Sequence, residues 1–355
     1  MKSDTEAVAR RIRGANNLWH NNTNNMTFDT ILGNPPYQVM DGGAGVSATP
    51  IYNRFVELAK TILPNKISMI MPAKWYTDGK GLGSFRDTML RDKQLFKFVD
   101  FTDSRDCFEK VDIAGGVCYF LWKKGYDGSC LFTSVHQGRK NTMERNLGDG
   151  EGFLRHPEAE SIITKIKSQN SSFYSTIVST QKPFGLRTYV TPLEEGDLIL
   201  RYNKGTGPYD SSLITVGKQM IPKWKVIISC LTAEHAGQTD KEGRKKILSS
   251  LGMLEPNVIC TETNLVVDAF DTEDEAKALI VYLKTQFARF LIAQLAATQH
   301  ISKEKFAYLP VQDFTSMEGI DWTADIAEID QQLYAKYGLT PDEIAFVESM
   351  IKPMA

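Results

Sequence analysis

The sequence predicts an α/β protein, with an open sheet in its N-terminal part and a second region of α+β type after it. Between Phe28 and Trp122, short apolar runs that end at proline or glycine alternate with helical patterns. Alternation at these spacings is typical of a sheet whose strands are joined by right-handed crossovers. Beyond about residue 181, short β-like runs are mixed with helical segments. The length of 355 residues suits about two domains.

Composition and charge place the chain among ordinary globular proteins. Hydrophobic residues make up 42% and charged residues 24%, which excludes the disordered, collagen-like and coiled-coil classes. No apolar run approaches the roughly 20 residues of a membrane-spanning helix, and the N-terminus lacks a signal-peptide core. We therefore expect a cytoplasmic protein without a membrane partner. The formal charge of -2 permits nucleic-acid binding only if cationic side chains gather on one face.

Cysteine and histidine spacing predicts neither a metal site nor a disulfide framework. The five cysteines are widely spaced and form no CxxC pair, and the sequence contains no HExxH.

The N-terminal elements follow from the apolar runs and the residues that end them. Residues 28–33 predict a buried parallel strand that stops at a proline pair. Pro50 opens a helix whose apolar residues recur at 3.6 spacing. Further strands are predicted at 66–72, 95–101 and 115–122, and a helix at 84–92. The glycine-rich segment 42–45 is interpreted as a mobile loop.

The remaining elements are predicted from weaker patterns. A linker at 136–175 carries a short helix near 157–166, and the region from 176 to 320 contains three β-like runs and one long apolar helix at about 274–297. Two helices end the chain, and the second begins with a capping box at Thr340-Pro341-Asp342-Glu343. The predicted divisions are 1–135, 136–175, 176–320 and 321–355.

The motif Asn34-Pro35-Pro36-Tyr37 carries the chemistry. It lies at the carboxyl end of the first predicted strand, where open α/β sheets place their active sites. An exocyclic amine such as adenine N6 is a poor nucleophile because its lone pair is delocalised into the ring. The Asn34 side-chain oxygen and a neighbouring carbonyl can accept its N–H bonds and draw the nitrogen towards a tetrahedral geometry. The prolines fix φ and offer no competing N–H, so the site is preorganised, and the Tyr37 ring can stack on an extruded base. The alternative is a proline turn that only ends a strand.

The segment FDTILGNPPYQ resembles motif IV of amino-methyltransferases that act on adenine N6. The following segments, among them ISMIMPAKW and VDFTDSRDCFEKVDIAGGVCYFLW, resemble the Eco57I-like restriction–modification methylases, as does the ending YGLTPDEIAFVESMIKP. The resemblance implies a partial Rossmann-like methyltransferase sheet followed by a target-recognition domain, with S-adenosylmethionine as cofactor and double-stranded DNA as partner. The NPPY core is also shared with glutamine and guanine methyltransferases, so a protein-glutamine or RNA methyltransferase stays an alternative.

The resemblance assigns roles by position. Asn34 and Pro35 would accept hydrogen bonds from the target amine, Pro36 would shape the turn, and Tyr37 would stack on the flipped adenine. Phe108 corresponds to a second aromatic residue that packs against the base, and an ordinary core phenylalanine is its alternative.

The methyl-donor site departs from the family pattern. Tyr52 and Phe55 would lie near the methionine part of the donor, with core packing as the alternative. The family's Gly-rich donor turn lies upstream of NPPY, but the residues before Asn34 contain no apolar strand with a GxG turn. Gly205-Thr206-Gly207 is interpreted as a surface turn.

Three explanations of this departure stay open. The chain is the second subunit of a split enzyme, a fragment, or a remnant that recognises DNA without methylating it. A separate N-terminal methyltransferase half or a restriction subunit is the expected partner. Edges left by missing strands would favour such association.

Cationic residues with aromatic neighbours are frequent in the region where the resemblance implies target recognition. Lysine and arginine contacts to phosphate provide affinity for DNA, and a solvated surface charge is the alternative for each residue. The candidates are Lys182, Arg187, Arg201, Lys204, Lys223, Lys225, Arg244, Lys245 and Lys246, with Gln299 and His300 in addition. A nuclease-like E-x-K at Glu275–Lys277 is discounted because it lies at a helix start.

Overall fold

A computed structural model of the chain describes residues 28–40, 48–76, 81–111, 113, 115–136, 138–148, 152–232, 240, 242–296, 300–315 and 319–354. The predicted loop at 42–45 and the candidate Gln299 lie outside these residues. No helix within them is long and apolar enough to cross a membrane.

The N-terminal part is built on a mixed sheet. The strands described up to residue 145 are β1 (Thr30–Gly33), β2 (Gln38–Met40), β3 (Ala48–Pro50), β4 (Lys66–Pro72), β5 (Leu95–Phe101), β6 (Val117–Lys123), β7 (Cys130–His136) and β8 (Arg139–Arg145). β2 and β3 pair as a separate hairpin, and the others form a sheet in the order β1-β4-β6-β5-β7-β8. β1 is parallel to β4 and β5 to β7, whereas β6 is antiparallel to both β4 and β5. The predicted α/β class is confirmed, and the sheet is mixed because β6 and the edge strand β8 run antiparallel to their neighbours.

Two helices pack on this sheet and share a core with several aromatic side chains. Helix α1 (Tyr52–Thr61) buries Tyr52, Val56 and Ala59 on one face, and α2 (Gly83–Leu90) buries Phe85 and Met89. The spacing of these residues gives each helix one apolar stripe. The stripes contribute to a core that also contains Trp75, Phe98, Phe120 and Phe132.

The first strand is parallel, as predicted, but it is not buried. Residues of β1 alternate between exposed and half-buried, and the side chain of Leu32 is 75% exposed. The reason is its position: within the described part of the chain, β1 pairs with β4 on one side only.

The C-terminal part consists of two three-stranded sheets and a layer of helices. β9 (Leu198–Tyr202), β10 (Gly205–Tyr209) and β13 (Val258–Cys260) form one sheet, and β11 (Trp224–Ser229), β12 (Leu251–Leu254) and β14 (Asn264–Phe270) form the other. The helices are α3 (Pro157–Gln169), α4 (Glu273–Lys284), α5 (Gln286–Ala293), α6 (Ile326–Lys336) and α7 (Pro341–Met350). The α+β prediction for this region is confirmed.

β11 and β14 separate two cores. Val226 and Ile228 point into the core formed with the helices, whereas Ile227 points into the core shared with β9 and β13. This follows from the period of two in a strand, which sends successive side chains to opposite faces. Both faces of β11 are therefore covered.

The predicted single helix at 274–297 is two helices. Thr285 takes an extended conformation, and its hydroxyl accepts a hydrogen bond from the amide of Ala288, which caps α5. The buried carboxylate of Asp330 accepts from the amides of Gln286 and Phe287, both at 2.8 Å. The apolar pattern continues across the break because both helices face the same core, so periodicity does not reveal it.

Two predicted boundaries fall within packed units. The first sheet continues to Arg145, beyond the boundary at residue 135. Helix α3, predicted as a connector, contributes Ala159, Ile162 and Ile166 to the core that also contains residues of α6 and α7. The capping box at Thr340 and Glu343 begins α7 as predicted. The division into functional domains stays a prediction.

Candidate active site

The Asn34–Tyr37 segment follows β1 at the edge where the parallel strands end. Asn34 and Pro36 are exposed, Pro35 is buried and Tyr37 is half-buried. Within the described ranges, neither the Asn34 side chain nor the Pro35 carbonyl takes part in a hydrogen bond. Two acceptors that the fold leaves unused therefore stand next to each other in the chain.

The segment is anchored through Tyr37. The Tyr37 carbonyl accepts a hydrogen bond from the Ile51 amide at 3.2 Å, and Gln38 pairs with Pro50 across the β2–β3 hairpin. Pro50 ends β3, and α1 begins at Tyr52, two residues later than the predicted start. The fold thus uses the Tyr37 carbonyl for its own hydrogen bonding and leaves the Pro35 carbonyl available.

Tyr37 lies close to the turn that carries Phe108. Burial raises the pKa of the Tyr37 hydroxyl, and the nearby thiols of Cys107 and Cys118 act in the same direction. Cys107 directly precedes Phe108, which is half-buried and donates its amide to the Ser104 carbonyl at 2.8 Å. The Tyr37 hydroxyl therefore lies within electrostatic range of Cys107, the residue before Phe108.

Ser104 organises that turn from inside. Its buried hydroxyl donates to the Val111 carbonyl at 2.9 Å and accepts from the Ile113 amide at 2.8 Å. Asp103 accepts from the Arg105 amide at 2.9 Å and caps the short 3-10 turn that follows. These bonds fix the backbone on both sides of Phe108.

A buried charged cluster closes the base of the same turn, and sequence reasoning missed it. Asp100, at the carboxyl end of β5, is fully buried and accepts two hydrogen bonds from Arg155, both at 2.7 Å, and one from the Tyr76 hydroxyl at 3.0 Å. Arg155 also donates to the Gly115 carbonyl at 2.8 Å. Because Asp100 and Gly115 lie at opposite ends of the Phe108 segment, Arg155 ties those ends together.

The Arg155 guanidinium stays charged in this cluster. Burial by itself lowers the pKa of the Arg155 guanidinium, but the Asp100 carboxylate outweighs that effect and raises it above its ordinary value. Burial raises the pKa of the Tyr76 hydroxyl well above its ordinary value, so Tyr76 remains a neutral donor. The only sequence signal was a carboxylate within the apolar run Leu95–Phe101.

Tyr52 and Phe55, the two residues of α1 expected to contact the methyl donor, differ in their surroundings. The Tyr52 ring is buried against Phe85, with ring centroids 6.4 Å apart, so the ring itself packs in the core. Its hydroxyl and the side-chain oxygen of Asn53 are buried without a hydrogen-bond partner in the described part of the chain. Phe55 is half-buried. Orphaned polar atoms of this kind fit the polar end of a ligand such as the methionine part of S-adenosylmethionine.

One of the nine cationic candidates is wrong. Lys225 is fully buried, and its ammonium donates to the carbonyls of Ile221, Lys223 and Glu255 at 2.7–3.0 Å. Burial lowers its pKa to about 8. The alternation of β11 turns this side chain inward, so Lys225 supports the fold and does not face DNA.

Three candidates form ion pairs. Lys223 lies 3.3 Å from Asp271, and Arg187 lies 3.9 Å from Glu262. Arg244 pairs with Asp240 and Glu242, both at 3.3 Å. Their positive charge is partly neutralised.

The other candidates occupy separate places. Lys245 lies near the buried His156, whose pKa is lowered first by burial and then by His136, Arg155 and Lys245. Lys182 is half-buried and Lys246 is exposed. His300 is exposed with its ring nitrogen 3.4 Å from the Gln181 amide. Arg201 and Lys204 are exposed, and neither has an ion pair within the described residues.

Comparison with known families agrees with the motif. Residues 1–108 match the family model of the Eco57I restriction-modification methylase. This part of the chain resembles the Eco57I methylases. The match to the Eco57I model includes Asn34–Tyr37, Tyr52 and Phe55 and ends at Phe108.

Two kinds of relative extend the Eco57I comparison. The chain is 34% identical over 170 residues to an "uncharacterized adenine-specific methylase" of Mycoplasma pneumoniae, and this region covers 44% of the chain and 40% of the relative. The chain thus matches less than half of that protein's length. The type IIL enzyme MmeI in complex with DNA superimposes with a TM-score of 0.43 and 9% identity, over 91% of this chain and 52% of MmeI. The type IIG restriction endonuclease BpuSI superimposes with a TM-score of 0.37 and 11% identity, over 88% of this chain and 49% of BpuSI.

Proposed function

We propose that this chain holds the target-base site and the DNA-recognition region of an adenine-N6 DNA methyltransferase from a restriction–modification system. The observation that carries the proposal is the pair of unused acceptors, the Asn34 side chain and the Pro35 carbonyl, beside the half-buried Tyr37. The Eco57I match and the adenine-specific relative support it.

The motif acts by positioning the amine. The exposed Asn34 oxygen accepts one N–H of the adenine amine, and the Pro35 carbonyl accepts the other. Because Pro35 is buried and followed by a second proline, its carbonyl is held rigidly. Tyr37 stacks on the extruded base, and Phe108 packs against it from the neighbouring turn.

The methyl donor is the cofactor of this reaction. S-adenosylmethionine supplies an electrophilic methyl group when it is bound. The Tyr52 hydroxyl, the Asn53 oxygen and Phe55 would hold its methionine part. Their position on α1, which begins directly after the hydrogen bond between Ile51 and Tyr37, places them near the target-base motif.

We infer that the rest of the donor site comes from a segment that pairs with the edge of β1 that has no neighbouring strand among the described residues. Leu32 on this strand is 75% exposed, and an unpaired strand edge favours addition of another strand. The segment is either a preceding part of a longer chain or a separate methyltransferase half. An enzyme of this kind would meet its DNA in the cytoplasm.

A methyl-transfer assay tests the proposed function. The chain, alone and mixed with a candidate N-terminal half, is incubated with duplex DNA and labelled S-adenosylmethionine, and nucleosides are analysed by mass spectrometry. We expect N6-methyladenine. Label in a protein glutamine or in RNA would favour the other NPPY chemistries, and DNA binding without transfer by any mixture would indicate a non-catalytic recognition protein.

A further inference from the structure

β9 and β10 form a tight hairpin at one end of the C-terminal sheet. Tyr202 pairs with Gly205, so the turn consists of Asn203 and Lys204. Gly205 has a φ of +141°, which residues with side chains rarely adopt. The expectation that Gly205–Gly207 forms a surface turn is wrong, because these residues begin β10 and pair with β9. Asn203 and Lys204 are exposed in this turn, and the exposed Arg201 precedes it on β9 with its guanidinium close to Gly252 of β12.

The two ends of the hairpin carry charges of opposite sign. At the turn, Arg201 and Lys204 carry positive charges without ion pairs among the described residues. At the opposite end, about 15 Å away for five residues of strand, the exposed side chains are acidic. They are Glu194, Glu195, Asp197 and Asp210. A polyanion is therefore attracted to the turn and repelled from the other end.

An exposed aromatic side chain, Tyr189, lies at the turn end. Cys260 is opposite Arg201 in the parallel pairing of β13 and β9, so Glu262 lies beyond it, level with the turn. The Glu262 amide donates to the Leu186 carbonyl at 3.0 Å, and its carboxylate accepts from the Thr188 amide at 3.1 Å. These bonds hold the segment that ends in Tyr189, which is 79% exposed.

Glu262 does not cancel the positive charge of the turn. Its side chain is 13% exposed and faces Arg187 at 3.9 Å. The pair therefore acts as an anchor for the Tyr189 segment, while Arg201 and Lys204 keep their charge. Tyrosine hydroxyls and cationic side chains both contact phosphate oxygens in protein–DNA complexes.

We propose that a basic tip, defined as Arg201, Asn203, Lys204 and Tyr189, is the surface through which the C-terminal region contacts duplex DNA. The proposal rests on the proposed function and names the contacting element within it. Arg201 and Lys204 neutralise phosphates, and a two-residue hairpin is narrow enough to enter a major groove about 12 Å wide. Asn203, at the end of the turn, is placed to reach a base edge.

The test is the salt dependence of duplex binding by the whole chain, measured by fluorescence anisotropy. We expect the double variant Arg201→Ala/Lys204→Ala to bind at least about tenfold more weakly. The slope of log Kd against log salt should fall by about two, since each phosphate contact contributes about 0.9. Tyr189→Ala should weaken binding about threefold, because the variant loses a hydroxyl that can donate to a phosphate oxygen.

Two matched variants serve as controls. Lys123→Ala/Lys124→Ala removes two exposed charges at the end of β6, which lies at the sheet edge opposite Asn34, and Glu194→Gln/Glu195→Gln changes the acidic segment beside the other end of the hairpin. The first should bind within about threefold of the wild type because distant charges are screened, and the second at least as tightly as the wild type. If a tip variant melts at a lower temperature, Arg201→Gln/Lys204→Gln replaces it.

The outcomes separate the two levels of the proposal. If the wild-type chain binds duplex DNA and the tip variants bind no more weakly than the first control variant, the basic tip is contradicted. The DNA-binding function is then left standing. A wild-type chain that binds no duplex at any salt concentration contradicts both. A selective loss at the tip supports both.

Discussion

Asp100 and Arg155 form a buried ion pair with two hydrogen bonds at 2.7 Å. Its role is to fix the backbone at the two ends of the Phe108 segment. The carboxylate is fully buried, and the guanidinium bridges it to the Gly115 carbonyl. Gly116 has a φ of +81°, and a Cβ there would lie 2.1 Å from the Phe101 carbonyl. The two ends of the Phe108 segment are therefore packed too closely for a larger residue.

We expect Arg155→Met to lower the free energy of unfolding by about 3–5 kcal/mol, because it leaves the buried Asp100 carboxylate without a cationic partner and with only the Tyr76 hydroxyl as a side-chain donor. Arg155→Lys should cost less, since it keeps the charge but loses the fork. Urea unfolding measures both. The control is Arg105→Met, which breaks the exposed pair with Asp103 and should cost less than about 1 kcal/mol. Equal losses for Arg155→Met and Arg105→Met would contradict the account.

Sequence suggests site residues more readily where the chemistry is local than where it depends on distant contacts, and the roles assigned to Asn34–Tyr37 stay a prediction. Asn34–Tyr37 could be recognised because four adjacent residues define the geometry. Arg155 could not, because its partners lie far away in the sequence. Lys225 was misjudged because a cation between Trp224 and Val226 resembles a surface residue until the pairing of β11 with two neighbours buries it.

Elements with strong apolar periodicity, such as β4, β5 and α1, were predicted close to their observed bounds. The β7–β8 hairpin was missed because β8 is largely polar and exposed on one face. Its presence is decided by pairing with β7, which a single sequence does not display. The break between α4 and α5 was missed for a similar reason, since Asp330, a distant residue, caps the second helix.

Asp330, which accepts the amides at the start of α5, makes the stability of the folded protein depend on pH. Burial raises its pKa from 3.8 to about 6, and Glu348 adds to the shift, while the two amide bonds and Arg289 oppose it. The folded state therefore keeps a proton that the unfolded state has released, and this contribution to stability is lost as pH rises through 6.

We expect the stability of Asp330→Asn, measured relative to the wild type, to increase by about 2 kcal/mol between pH 4 and pH 7.5. The variant keeps an oxygen acceptor for α5 and does not titrate. Thermal or urea unfolding of both proteins across this range provides the measurement, and the difference between them cancels the titration of other groups. A difference that stays constant with pH would show that Asp330 does not carry the shift.

As a whole, the molecule joins a mixed N-terminal sheet, whose edge strand leads into Asn34–Tyr37, to an α+β C-terminal region. The sequence indicated both parts and the motif between strand and helix, because each depends on local patterns. The three cores, the mixed direction of the sheet and the shared packing of α3, α6 and α7 depend on long-range contacts. Within the described ranges β1 has a neighbouring strand on one side only, and the expectation of a further methyltransferase half stays a prediction.

The central claim concerns the two acceptors at Asn34 and Pro35, and the methylation rate of Asn34 variants tests it most directly. In any active form of the enzyme, we expect Asn34→Ala to lower N6-methyladenine formation by at least about a hundredfold with unchanged duplex affinity. Asn34→Asp keeps an oxygen at the same place and should retain measurable turnover. Turnover by Asn34→Ala at the wild-type rate would contradict the account.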